Sequence, residues 1–250
     1  MSKDRNTGAK RARELRAELA LDPAAPLDCL LTLVEEQLGL PVVLAELGAV
    51  MDGCCWQSGE RVLLWVNAGH APVRQRFTLA HEVGHRRCGH DGSLPVETFQ
   101  TLGGKTTDSR EVQANAFAAE LLMPADGIRA RIGGGEPDLD DVVTLACEFG
   151  VSTLAMLYRL NTLGLTSRRA ELEAAIAEDA HREAWERLGM EPHADGISAA
   201  REAGLPRLSP SECGSAFAAV ARGEVSTTAA AAAAGVPADT LARGAGRIGI

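Results

Sequence analysis

Tyrosine is almost missing from this 250-residue chain, which has one, Tyr158, beside five phenylalanines and three tryptophans. A site that needed a tyrosine hydroxyl would depend on that single residue. No apolar run approaches the roughly 20 residues that span a bilayer, and the tract Ala229 to Ala234 is too short and too weakly apolar to count. The six cysteines form no C-x-x-C pair, and Cys54 and Cys55 are adjacent in a predicted strand. A reduced cytoplasm is the expected setting. The opening "MSKDRNTGAKRAREL" has charge but no apolar stretch after it, so neither a secretion signal nor a membrane anchor is expected. Cations are outnumbered 25 to 34, giving a net charge of −9. Non-specific binding to nucleic acid or to an anionic membrane is therefore not expected as the main task. What is present, 46% hydrophobic and 24% charged residues, suits one or two ordinary globular domains.

Apolar periodicity predicts amphipathic helices over Ala9 to Ala20 and Leu27 to Leu38, separated by "DPAAP". Three strand-like stretches follow, Pro41 to Leu47, Val50 to Trp56 and Arg61 to Asn67, the last two forming a hairpin around "QSGE". A helix over Val73 to Cys88 has Pro72 suited to its first turn. A second runs from Ser109 to Met123, with Asp108 or Ser109 as N-cap and Pro124 as its stop. "GGGEPD" reads as a domain boundary, and everything after it as helical, over Leu139 to Phe149, Ser152 to Leu163, Ser167 to Leu188 and alanine-rich pieces. The expectation is an α+β fold with a short three-stranded sheet, in domains 1–135, 136–165 and 166–250.

Three of the six histidines lie within "RFTLAHEVGHRRCGHD". His81 to His85 is an H-E-x-x-H pattern. On a helix, positions i and i+4 share a face with Cβ atoms about 5–6 Å apart. Two imidazoles can therefore meet one tetrahedral zinc ion at about 2.0–2.1 Å. Glu82, one step round the helix, is badly placed as a ligand and well placed to take a proton from a metal-activated water. A catalytic zinc needs a third protein ligand. Asp91 occupies the last position of the extended H-E-x-x-H-x-x-G-x-x-H pattern, but Cys88 stands where that pattern has its turn glycine. His90 falls one residue short of that register and suits a supporting role. Glu111, on the next long helix, is preferred as the third ligand. Asn115, four residues on, shares its face and can fix a ligand histidine's tautomer. Glu120 falls on a different face and reads as structural.

"RQRFTLAHEVGHRRCGH" and "EVQANAFAAELLMP" together resemble the ImmA/IrrE family of bacterial metallo-endopeptidases. The family's R-F-T-x-A-H-E-x-G-H falls on Arg76 to His85, its E-x-x-A-N-x-F-A on Glu111 to Ala118, and its L-x-M-P on Leu121 to Pro124. The resemblance covers roughly residues 10 to 165. It implies a zincin-like fold, one Zn2+ per chain on His81, His85 and Glu111, and Glu82 as general base. It also implies action on helix-turn-helix repressors of the phage type, by cleavage or by promoting their loss. An extended substrate would add to the edge of Arg61 to Asn67, with Arg61, Leu63, Trp65 and Asn67 along it. His70, His90 and Arg74 are open as oxyanion stabilisers.

"DVVTLACEFGVSTLAMLYRLNTLGL" resembles a helix-turn-helix, with Ala146 in its first helix and Gly150 in the turn. Its second helix offers only Ser152, Thr153, Arg159 and Asn161 as polar groups, and Glu136, Asp138, Asp140, Asp141 and Glu148 crowd the approach. Phosphate contacts need cations, so a packing module or a dock for the repressor is expected, and operator reading is not. The competing reading is a non-catalytic regulator that binds DNA or protein through its helical half, with a structural or vestigial metal. Nothing strand-like marks residues 166–250, and "ARGEVSTTAAAAAAGVPADTL" reads as a second, degenerate helix-turn-helix or an alanine-rich helix pair.

Overall fold

The structure, a computed structural model, describes residues 2–27, 29–45, 52–58, 61–90 and 107–190, with short pieces at 219–220, 224–226 and 228–230. Helix α1 (Lys3–Glu18) is followed by one α-helical turn, α2 (Leu30–Thr32), that widens into a π-helical turn over Leu33–Gln37. Strands β1 (Val42–Ala45), β2 (Gly53–Ser58) and β3 (Arg61–Asn67) precede α3 (Pro72–Arg87) and α4 (Ser109–Leu122). Then come α5 (Ala125–Arg131), α6 (Leu139–Phe149), α7 (Thr153–Thr162), α8 (Arg169–Ala177) and α9 (Ala180–Leu188). The architecture is α+β, mostly helical around a small three-stranded sheet.

The sheet order is β1-β3-β2, with β1 parallel to β3 and β2 antiparallel to it. Ser58 pairs with Arg61, as the hairpin expectation requires. The order corrects another expectation. β3 is the middle strand, with both edges occupied, so it offers no edge to a substrate. Leu63, Trp65 and Asn67 are buried along it, and the side chain of Arg61 lies outside the described set.

Helix α1 starts earlier than predicted because Ser2 caps it, its hydroxyl accepting from the Arg5 N–H at 3.4 Å. Its inner face brings Gly8, Ala9, Ala12 and Leu15 against α4. A Cβ at Gly8 would sit on the Gln113 carbonyl oxygen, so only glycine permits this approach. The helix predicted over Ser167 to Leu188 is broken in two at Asp179, which has φ 62°. Asp is one of the few non-glycine residues that enters the left-handed region readily.

The core is continuous across Gly135. Val142, Leu145, Phe149, Met156, Leu157 and Leu160 join Ala12, Leu15, Leu79, Val83, Phe117 and Leu121 in one apolar cluster. The boundary expected there is thus no break in packing. Helices α6 and α7 turn through 106° between them, at Gly150 with φ 64°. Ser152 caps α7, and Thr153 and Arg159 are buried. Arg159 reaches back to α4, donating to the Met123 carbonyl at 2.9 Å and pairing with Glu120.

The acidic residues around α6 are likewise used internally. Asp138 and Asp141 form a capping box, and Glu136 accepts from the Ser167 N–H at 2.7 Å. Asp140 pairs with Arg187, and Glu148 with Arg131 at 2.6 Å. No single described helix is long and apolar enough to cross a membrane. Residues 191–250, apart from the short pieces, lie outside the described set, as do the alanine-rich reading of that tail and Asp91.

Candidate metal centre

Two close approaches build the site. Pro72 starts α3, and the H-E-x-x-H residues fall in its last two turns. Gly84 lies against α4, where a Cβ would meet the Ala114 carbonyl oxygen and Phe117 side-chain atoms at 3.1 Å. A side chain there would need its α4 neighbours to give by a few tenths of an ångström. Asp108 caps α4 by accepting from the Arg110 N–H at 2.8 Å, which places Glu111 in the first turn, facing α3.

His81, His85 and Glu111 are all buried, with a ligating atom from each lying within 4.8 Å of the others. The His81 and His85 Nε2 atoms are 2.9 Å apart. The Glu111 carboxylate oxygens lie 3.3 Å from His81 Nε2 and 3.4 Å from His85 Nε2. The other ring nitrogens point away. His81 Nδ1 meets Asn115 Oδ1 at 3.0 Å, and His85 Nδ1 meets His90 Nδ1 at 2.9 Å. Two imidazole lone pairs and a carboxylate converging in a buried space fit a borderline-soft divalent cation such as zinc. Each ring's second nitrogen has the outer partner such ligands usually have.

His90 reaches its position through a turn one residue beyond Cys88. The glycine absent at Cys88 is supplied one residue later by Gly89, which has φ 73°. The His90 N–H then bonds to the His85 carbonyl at 3.0 Å, folding the His90 ring back onto His85. His90 Nε2 lies 3.3 Å from Gln113 Oε1. Burial first, then its neighbour His85, holds the His90 pKa below its ordinary value.

Glu82 is buried beside β2. A Cβ at Gly53 would come within 2.6 Å of Thr78 Cγ2, 2.7 Å of the Trp65 carbonyl oxygen and 3.3 Å of Glu82 Oε1. Glycine therefore lets the first residue of β2 lie directly against the Glu82 carboxylate. Cys55, two residues along the strand, shares this face. Burial, and then the Glu82 charge, pushes its thiol up to about 12, so it stays protonated and is no nucleophile. Of the oxyanion candidates, His70 and Arg74 both engage Asp52, at 2.9 Å and 2.5 Å, and His90 serves His85.

The structure brings His81, His85, Glu111, Asn115 and His90 together and puts Glu82 on the β2 side. It does not bring Leu63, Trp65 or Asn67 to a surface. Sequence reading missed Gly53 and Gln113. A glycine inside the predicted strand Val50 to Trp56 was the only signal for the first. For the second there was none, because Gln113 lies off the face shared by Glu111 and Asn115.

The model of the IrrE N-terminal-like domain, a peptidase family, matches residues 35–161. The radiation response metalloprotease IrrE of Deinococcus radiodurans is 32% identical over 110 residues, covering 42% of this chain and 34% of the relative. Its counterpart from Deinococcus deserti is 34% identical over 102 residues, 40% of this chain and 36% of the relative. The uncharacterized immunity region protein 2 of Bacillus phage phi105 is 31% identical over 80 residues, 32% of this chain and 49% of the relative. The chain thus spans about a third of the Deinococcus proteins and about half of the phage protein.

Proposed function

The chain belongs to the family of the IrrE N-terminal-like domain, and on that premise we propose a zinc-dependent endopeptidase that inactivates a helix-turn-helix repressor. The observation that carries this reading is the buried His81–His85–Glu111 triad, with Glu82 one residue past the first histidine. A zinc ion held by His81, His85 and Glu111 would supply Lewis-acid polarisation of a carbonyl and would make water a nucleophile near neutral pH. Glu82 accepts the proton that the attacking water loses and returns it to the leaving amine. Asn115 and His90 hold the two rings so that their Nε2 atoms converge.

The substrate edge moves from β3 to β2. Among the described residues β2 has no strand on its outer side, and Gly53 brings its backbone against Glu82. An extended peptide added there as a fourth strand runs beside the base. The choice of a repressor rests on the motif resemblance. The phage immunity-region relative and the radiation-response relatives fit control of a regulator. Helices α6 and α7 serve as packing and as a flank for docking. Burial of Arg159 and its pairing with Glu120 remove the cation that operator DNA would need.

The test pairs the zinc-loaded protein with small helix-turn-helix repressors from the same genome and reads cleavage by mass spectrometry. Glu82→Gln should retain zinc and slow cleavage by on the order of 10²–10⁴-fold. Undiminished cleavage by that variant refutes the base assignment. Cleavage of none of the repressors refutes the substrate class.

A further inference from the structure

We propose that Gln113, acting through His90, sets which nitrogen of His85 is available to a metal, and that Asp4 at the far end of the chain fixes the sense of Gln113. The inference rests on the metal-centre reading above.

A glutamine amide can point either way, and here its partners decide. Gln113 Nε2 lies 3.0 Å from Asp4 Oδ1 and 3.1 Å from Ser109 Oγ. The Ser109 hydroxyl gives its hydrogen to the same Asp4 oxygen at 2.7 Å, so toward Gln113 it can only accept. Both neighbours are acceptors, so the NH2 group faces them and Oε1 faces His90 Nε2. An oxygen there requires Nε2–H on His90. With its Nε2–H given to Gln113, His90 turns its other ring nitrogen, Nδ1, toward His85 Nδ1 at 2.9 Å and accepts the hydrogen held between them. His85 is then left with a bare Nε2, the atom that faces His81 and Glu111. Asn115 does the same for His81 in one step. The His85 relay takes three steps and ends on α1, which reaches Gln113 only because Gly8 lets it lie on the α4 backbone.

Gln113 is therefore a positioning residue, and its variants separate polarity from packing. In Gln113→Glu the group still accepts from His90 but repels Asp4. In Gln113→Lys the group pairs well with Asp4 but presents N–H to His90 Nε2–H. Packing alone ranks the lysine variant above the glutamate variant; proton polarity ranks them the other way for metal. Gln113→Met removes the acceptor with no change of charge.

Zinc affinity of the full chain is measured by competition with a chromogenic chelator. In parallel, the protonated nitrogen of His90 is read by long-range 1H–15N NMR on the zinc-loaded protein, and chelator-treated melting temperatures confirm folding. Native protein should show His90 Nε2–H. Gln113→Lys should bind zinc about 10–100-fold more weakly, Gln113→Met about 10-fold more weakly, and Gln113→Glu within about threefold of native. A methionine variant with native affinity, or a native His90 protonated on Nδ1, overturns the proposal and leaves the metal centre standing. A native protein that takes up no zinc overturns the centre and this proposal together.

Discussion

Glu111 and Glu120 lie on one helix, both almost wholly buried, and face opposite ways. The Glu120 carboxylate meets guanidiniums, with Arg159 against one oxygen and Arg13 3.3 Å from the other. The Glu111 carboxylate meets imidazole nitrogens at 3.3 and 3.4 Å. Burying a carboxylate is costly in either place. Arginine is permanently cationic, so the Glu120 site is complete within the chain. Imidazoles turned with their bare nitrogens inward add donors rather than charge, which suits an ion from outside. The nature of the facing nitrogen, more than burial, separates a structural clamp from a metal site.

The largest expected effect falls on the clamp. Arg159→Ala leaves Glu120 buried with only the half-exposed Arg13, and should cost about 3–5 kcal/mol in denaturant unfolding of the chelated protein. Zinc stoichiometry of the folded fraction should be unchanged. Replacing both partners, Glu120→Leu with Arg159→Met, should recover most of that loss, because a buried pair can be exchanged for apolar packing. A double variant that stays as unstable as Arg159→Ala contradicts this account of the clamp.

The opposite pattern is expected at Glu111. Glu111→Gln keeps size and polarity, yet zinc affinity should fall by more than the roughly 10–100-fold typical of an outer partner. Bound zinc at 100 times its dissociation constant stabilises a native protein by about 2.7 kcal/mol. Chelation should therefore lower the melting temperature of the native chain and barely move that of the variant. Full zinc retention by Glu111→Gln would reopen the third-ligand position to His90 or to Asp91, which lies outside the described residues.

A smaller effect tests how α1 reports to the centre. Gly8→Ala gains about 1 kcal/mol in helix propensity. It also places a methyl group on a backbone carbonyl that cannot move aside, and overpacking of this kind costs about 1–3 kcal/mol. The net should be a modest loss of stability, with weakened zinc binding as Asp4 leaves Gln113. Unchanged zinc affinity alongside lost stability would uncouple α1 from His85.

These differences trace what could be read from the chain. His81, Glu82 and His85 announce themselves because i and i+4 on a helix are a local relation, and Glu111 with Asn115 repeats it on the next helix. The middle position of β3 was not legible. The hairpin is local, whereas β1 joins from the other side by a parallel pairing that no turn specifies. The acids around α6 were read as a surface charge although four of them serve as caps or bond partners within the helical half, and Glu148 pairs with Arg131 of α5. Caps are short-range, but pairs such as Asp140–Arg187 depend on where α9 docks. Gln113 was the least visible, since its role comes from Asp4, more than a hundred residues away in sequence. Truncation after Gly135 would strip Val142, Phe149 and Leu160 from the core, so it cannot isolate a docking role.

The smallest expected effect is a control on the comparison itself. Arg87, at the end of α3, pairs with Glu18, at the end of α1, close to the same helices that build the metal site. The charges are the same kind as in the Glu120 clamp, and the link also joins distant segments. The difference is water. The Glu18 side chain is 53% exposed and that of Arg87 29%, against 5% and 4% for Glu120 and Arg159. Exposed pairs gain little in a high dielectric and lose side-chain entropy in holding one geometry. Glu18→Gln should therefore change unfolding stability by no more than about 0.5 kcal/mol and leave zinc affinity at its native value. Raising the salt concentration should shrink even that difference, while the cost of Arg159→Ala should persist because buried charges are poorly screened. If Glu18→Gln proved as damaging as Arg159→Ala, burial would not be what separates the two pairs, and the contrast drawn along α4 would lose its basis.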